Sequence, residues 1–411
     1  MQEKLMPASA LRAPAKLLVV IALALALASC GTNTPAPVVC APSNSSGATC
    51  TCGSGTAACP VQPGPEFLYA TSIGGQILAF SIDQTSGALT MIGSVPGPTT
   101  LSPGLASVAN QFLYASDTQN DQLDGFSINQ TTGALTALAG SPFPTGTLSL
   151  PGALAAPPGD LGSAPGNSLL YAADSGTIDT FTISATGVPA ALSGSPYVPE
   201  EGFSIVVDPS GGFLYASDID PPGGIFAFTT GSTVVAGALA AVPNSPFTIQ
   251  GQTAVDTLPA GIADNGSYVY VALSQTNQIA AFSIVSGTGA LTSVPGSPFS
   301  AGASPTAVIA AGNFLYAINS SEGSISSDRT ISGYSIDPAT GALTPLSGSP
   351  FAIVGFSLAT DSFGQHLYVA GLTGIQAFNI NSTNGALTSV SGLPFPGIGA
   401  TLLTFVQIPP P

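Results

Sequence analysis

Three aspartates share one repeated position in this chain. Asp117, Asp174 and Asp218 each lie three residues after a tyrosine that closes a Leu-Tyr pair, and the equivalent residues elsewhere are Ser72, Leu273, Asn319 and Gly371. Carboxylates that converge supply hard oxygen ligands, the chemistry of a calcium site. Aspartate is also a good turn former, and that plainer explanation is the favoured one. Glu200, Glu201 and Arg329 complete the candidate ligand-binding face. Arg329 could steady an anion, but pairing with Asp328 or Glu322 is the preferred reading. The only histidine, His366, follows a turn at 361–365 that belongs on the opposite face, so it reads as a capping surface residue. Hydrolysis by activated water needs a base and a positive group for the developing oxyanion. Nucleophile elbows, HExxH motifs and P-loops are absent, and no residue is assigned a catalytic role.

The elements that would carry these residues are written in a repeat. Leu-Tyr or Val-Tyr pairs occur seven times, ending at Tyr69, Tyr114, Tyr171, Tyr215, Tyr270, Tyr316 and Tyr368, with spacings between 44 and 57 residues. An alternating segment such as Phe126-Ser127-Ile128 follows each, and six copies then reach Gly-Ala-Leu, led by Gly87, Gly133, Gly237, Gly289, Gly341 and Gly385. Short alternating strands separated by turn residues at this period predict a radial β-repeat. In blade two, residues 104–109 predict the inner strand, 112–116 the second, 123–129 the third and 134–139 the outer one. Gly140-Ser-Pro-Phe143 then carries the chain to the next blade. The first copy begins at its second strand, and residues 400–408 read as an inner strand with no blade after it. The expectation is therefore all-β: a seven-bladed β-propeller of four-stranded blades over residues 66–411. A C-terminal inner strand added to the N-terminal blade closes it, leaving no long open edge. The loops between second and third strands and those between blades should share one face, and the candidate residues should collect there.

The repeat text, LYxA(S/N)…F(S)I(D/N)xxTGALTxxxGSPF, resembles the lactonase-type propeller family with YVTN-like repeats. The resemblance implies a seven-bladed fold and lactone hydrolysis of the 6-phosphogluconolactonase type. A phosphate is usually gripped by several cations or a Gly-rich helix start. With one arginine and no lysine in the repeat region, that substrate fits poorly.

Charge and the N-terminal segment bound the remaining classes. Of four cations, Lys4, Arg12 and Lys16 lie at the start, leaving Arg329 alone against nineteen of the twenty carboxylates. A chain so acidic is repelled by nucleic acid, which is excluded as a partner. The basic start, an apolar run over 17–28 and Leu27-Ala-Ser-Cys30 form an export signal too short to span a bilayer. The small residues before Cys30 resemble the lipobox of bacterial lipoproteins. Residues 1–30 are thus expected to be a lipoprotein signal peptide, with Cys30 lipidated and the protein at the outer membrane or cell surface. Residues 31–65 show no strand pattern and read as a flexible tether. Their Cys40, Cys50, Cys52 and Cys59 suit two disulfides in an oxidising compartment, paired 40–50 with 52–59 or 40–52 with 50–59. A metal site is the less favoured alternative, since no histidine is near and the spacing matches no zinc pattern. The functional expectation is a lipid-anchored binding scaffold for a protein, peptide or glycan, with calcium the one candidate cofactor. A lactonase-like hydrolase is the alternative.

Overall fold

The computed structural model describes residues 49–52, 55–58, 64–98, 104–117, 119–145, 152–157, 168–174, 177–197, 202–218, 223–231, 236–249, 259–320, 329–391 and 399–407. Two compact units divide the chain, Met1–Gln62 and Pro63–Pro411. In the first, Thr49–Cys52 and Gly55–Ala58 form a two-stranded antiparallel hairpin. The sequence reading had no strand there: four-residue strands of small and polar residues lack the apolar alternation by which strands are recognised. Cys30, Cys40 and Cys59 lie outside the described residues.

The second unit is a seven-bladed β-propeller. Its described residues contain no helix, and each blade is an antiparallel sheet whose inner, second, third and outer strands follow in order. Blade four, for example, runs Gly202–Val207, Phe213–Asp218, Gly224–Gly231 and Ala236–Ala241. Ring closure is as expected. Ala400–Gln407 pairs with Glu66–Ser72 as the inner strand of blade one, from Glu66 opposite Gln407 to Ser72 opposite Ala400.

The Leu-Tyr pair explains the packing. Neighbouring residues of a strand point to opposite faces, and here each pair divides between two interblade cores. Leu68 packs with blade seven and Tyr69 with blade two; Leu113 then joins the Tyr69 core, while Tyr114 faces blade three. The pattern continues around the ring until Tyr368 returns to the core that holds Leu68. Seven blades thus share seven cores, and every one of these tyrosines is fully buried.

A buried phenol needs a hydrogen-bond partner, and the Gly-Ala-Leu turn of the next blade supplies it. Tyr69 donates to the Gly133 carbonyl at 2.8 Å, Tyr215 to Gly289 at 3.2 Å, Tyr270 to Gly341 at 3.1 Å and Tyr316 to Gly385 at 2.7 Å. Tyr114 bonds Gly187 in the same way, and Tyr368 crosses the closure to Gly87 at 3.2 Å. These acceptor glycines have positive φ, for instance 71° at Gly133. A Cβ on Gly133 would also lie 2.4 Å from the Phe67 ring, so glycine is required twice over. Tyr171 is the exception. Blade four extends its third strand to Gly231 and starts its outer strand at Ala236, and the Tyr171 hydroxyl is left buried without a partner. Thr230 lies near enough to oppose the burial that raises the Tyr171 pKa, and its hydroxyl donates to the Gly211 carbonyl.

The Ser-Pro-aromatic segments do more than connect blades. Phe143, Tyr197, Phe247, Phe299 and Phe351 pair back onto the third strands of blades two to six. The preceding serine hydroxyl accepts a third-strand N–H, as in Gly125 N to Ser141 Oγ at 2.9 Å and Gly333 N to Ser349 Oγ at 3.0 Å. Blade one lacks this segment and has one continuous outer strand, Leu89–Pro96.

Candidate functional site at the mouth of the axial channel

The inner strands carry small and aliphatic residues, as crowding near a propeller axis requires. Between them lies a cavity of about 410 Å³ lined from all seven blades, by Leu402, Leu105, Leu154, Ile205, Gly261, Val308 and Leu358 in blade order. Among the described residues, Ser204, Thr306 and Ser357 are its hydroxyl-bearing ones and no titratable side chain lines it.

Phe356, at the start of the inner strand of blade seven, belongs to the lining and connects it to the one cation of the ring. The Arg329 guanidinium carbon sits 4.4 Å from the Phe356 ring centroid, a cation–π contact. Its Nη1 donates to the Gly355 carbonyl at 3.2 Å, and its Nε is buried with no partner. Burial lowers the Arg329 pKa, yet a guanidinium stays charged at any physiological pH. Asp328 and Glu322, the expected ion-pair partners, lie outside the described residues. Beside Arg329, Asn319 is opposite Thr330 in the sheet. Asn319 is 2% exposed, and its amide donates to Thr330 Oγ1 at 3.0 Å and Ser332 Oγ at 2.9 Å. The Asn319 Oδ1 is also buried without a partner. Blade six thus holds an unused donor and an unused acceptor, both enclosed by protein.

The repeated aspartates occupy equivalent places, each ending the second strand of its blade: Phe112–Asp117, Ser168–Asp174 and Phe213–Asp218. Asp117 is buried and held by its own turn, accepting from Gln119 N at 3.1 Å, Asn120 Nδ2 at 2.8 Å and Gln122 Nε2 at 3.3 Å. Its role is the turn-forming one. The side chains of Asp174 and Asp218, and Glu200 and Glu201 entirely, lie outside the described residues. Among the described residues no three His, Cys, Asp or Glu side chains are placed to hold a metal ion.

His366 corrects one expectation. It does lie at the turn on the far end of the blade, but it is buried at 3% exposure and does not cap a surface. It takes the strand position held by Phe67, Phe112, Phe213, Tyr268 and Phe314 in other blades, and its ring packs over Gly87 as theirs pack over their glycines. Its Nδ1 meets Asp361 Oδ2 at 2.9 Å. Sequence reasoning also passed over Asn319, Phe356 and Asp124. Asp124 lies on the third strand of blade two, where burial and then the Asp117 charge push its pKa up to about 6. A charge shared with Asp179 of blade three, where other blades carry Leu78, Phe226 or Ala280, was the available signal.

Fold and site together define a seven-bladed propeller with an axial pocket whose described lining is uncharged, and with the one cation of the repeat region stacked on that lining. Over residues 22–148 the chain matches the family described as lactonase, 7-bladed beta-propeller. No curated protein matches it by sequence. Among solved structures it is similar to a candidate 6-phosphogluconolactonase from Bacteroides uniformis, with 19% identity and a TM-score of 0.66 over 84% of this chain and 100% of that one. A counterpart from Bacteroides fragilis gives 16% identity and a TM-score of 0.65, covering 84% and 99%. The periplasmic gluconolactonase of Pseudomonas aeruginosa gives 16% and 0.61, also covering 84% and 99%. At these identities the likeness is one of fold.

Proposed function

We propose that the protein is a lactone hydrolase acting at the mouth of its axial channel, the alternative raised by the repeat. The observation that carries this reading is the Arg329 guanidinium, the one cation of the repeat region, stacked on a channel-lining phenylalanine. Attack of water on a lactone carbonyl places negative charge on one oxygen, and a fixed guanidinium in a water-poor rim stabilises it. Glu200 and Glu201 directly precede the blade-four strand that contributes Ser204 and Ile205 to the cavity. They take the role of water-activating base in this reading. The lactonase family match and the gluconolactonase-named neighbours support the assignment at the level of class.

The test is a panel of lactones assayed by base consumption at constant pH, with wild type and Arg329→Met. Methionine keeps a comparable apolar stem but removes the fork. Losing one oxyanion donor should lower kcat/KM by about 10²- to 10³-fold with little change in melting temperature. Equal activity in the variant, or no turnover of any lactone by wild type, overturns the reading.

A further inference from the structure

The turn between the inner and second strands of blade five holds the parts of a reaction on the chain itself. We propose that Asn265 is a self-modifying site: it deamidates through a cyclic imide closed by the Gly266 nitrogen, with Asp264 as base and two backbone N–H groups as oxyanion hole. The proposal is independent of the hydrolase reading. Three contacts carry it. Pro259–Asp264 and Tyr268–Leu273 leave a turn of Asn265, Gly266 and Ser267, the last two exposed. The nucleophile, Gly266 N, donates its hydrogen to Asp264 Oδ1 at 2.5 Å. The electrophile is Asn265 Cγ, and the oxygen it carries, Oδ1, accepts from Ser267 N at 3.1 Å and Tyr268 N at 2.9 Å. A base on the attacking atom and donors on the oxygen that becomes negative are what such an addition requires. Glycine at 266, with φ of 86°, leaves no Cβ to shield the nitrogen. Burial, with the Asp208 charge beside it, pushes the Asp264 pKa up to about 6 against the Gly266 hydrogen bond. Asp264 is then a stronger base than an ordinary carboxylate and still ionised at neutral pH. Among the described residues the titratable groups that face it are Asp208 and Tyr215.

The only other Asn-Gly pair in the sequence, Asn384-Gly385, is an internal control. There Gly385 N donates to the Asn381 carbonyl at 2.7 Å, which cannot take its proton, and Asn384 Oδ1 accepts one N–H, from Ala386 at 3.0 Å. At Asn265 the chemistry balances with water as the one co-reactant. Gly266 N bonds to Asn265 Cγ while its proton passes to Asp264. The Cγ–Nδ2 bond then breaks, and the nitrogen leaves as ammonia with that proton. Water opens the imide at either carbonyl, giving aspartate or isoaspartate at 265. Both products add a carboxylate beside Asp264. The isoaspartyl link also lengthens the backbone just before Tyr268, whose ring packs over Gly341 and whose hydroxyl donates to the Pro338 carbonyl at 3.2 Å.

The experiment incubates the full chain, folded and in denaturant, and follows both Asn-Gly sites by peptide mass spectrometry. The unfolded chain supplies the intrinsic rate of each site. Folding should accelerate Asn265 and slow Asn384, raising the ratio of their rates by about 10²-fold, the low end of what a positioned base contributes. Asp264→Asn keeps an acceptor for the Gly266 N–H but no base, and should abolish the acceleration. In the folded wild type the Asn265 rate should rise through about pH 6 as Asp264 ionises, a step the variant lacks. Hydrogen bonds that merely clamp the turn predict the opposite sign, with Asn265 slower folded than unfolded and faster in Asp264→Asn. That result, or equal rates with and without the Asp264 carboxylate, overturns the proposal. The comparison of the two sites in wild type stands even where the variant fails to fold.

Discussion

Single atoms in this ring are informative because the repeat provides its own controls. Six of the seven repeat tyrosines have a carbonyl partner across a blade boundary, and Tyr171 does not. Tyr316→Phe removes a donor and leaves the Gly385 carbonyl unpaired, so it should cost about 1 kcal/mol. Tyr171→Phe removes a hydroxyl that already lacks a partner and should be neutral or stabilising. Thermal denaturation of the two variants decides it, and equal losses would count against the pairing scheme. Titration follows the same logic. Burial pushes Asp124 and Asp264 up to about 6, and Glu66 is also raised, chiefly by burial. Unfolded, such carboxylates ionise near pH 4. From about pH 4 to about 6 the folded chain therefore binds more protons than the unfolded one, and stability falls as pH rises. The melting temperature should decline across that window, and Asp124→Asn should make the decline shallower. An unchanged slope in the variant would remove Asp124 from the account.

At the scale of strands and turns, blade one stands apart. Its Val95 lies opposite Ile77, the register position at which Phe143 meets Leu123 and Phe299 meets Ile279. Where sister blades place an aromatic ring, Ile77, Ala79, Ile92 and Val95 line a cavity of about 220 Å³. Val95→Phe should fill it. Cavity filling typically adds about 0.5–2 kcal/mol, which would appear as a higher melting temperature; a lower one would mean the ring cannot enter. The element scale also shows what was legible. Strand alternation and the spacing of Leu-Tyr and Gly-Ala-Leu were enough for blade count, strand order and closure, because each is a local pattern. The pins were not legible, since Tyr69 and Gly133 are 64 residues apart and nothing in either phrase names the other. His366 was misjudged for a related reason. Its polarity suggested surface, whereas its place in the repeat, aligned with Phe314, indicated a buried ring. Arg329 was recognised as the one cation of the site face, but its stacking on Phe356 depends on a neighbouring blade and has no signature in sequence.

For the molecule as a whole, where it resides remains a proposal resting on its first thirty residues. If Cys30 is the lipid-bearing residue, Cys30→Ala should shift the protein from the membrane fraction to the soluble one, or leave the leader uncut. Normal processing with unchanged membrane partition would refute the anchor. A tethered hydrolase of this net charge, −16 for the full chain, would meet neutral substrates without electrostatic penalty and would repel anionic ones before they reached its single arginine.

The tyrosine pins also bear on how such a ring could have grown. Each repeat carries its donor near its beginning and its acceptor near its end, and it spends the donor on its successor. Copying one whole repeat within a gene therefore inserts one matched pair, so six, seven or eight copies would all close with every donor answered. Hydrogen bonding does not count blades. The number seven must be set by the wedge angle between neighbouring sheets, and so by the bulk of side chains in the interblade cores. Blade four, with its lengthened third and outer strands and orphaned Tyr171, shows that an insertion inside one repeat is felt by the blade before it.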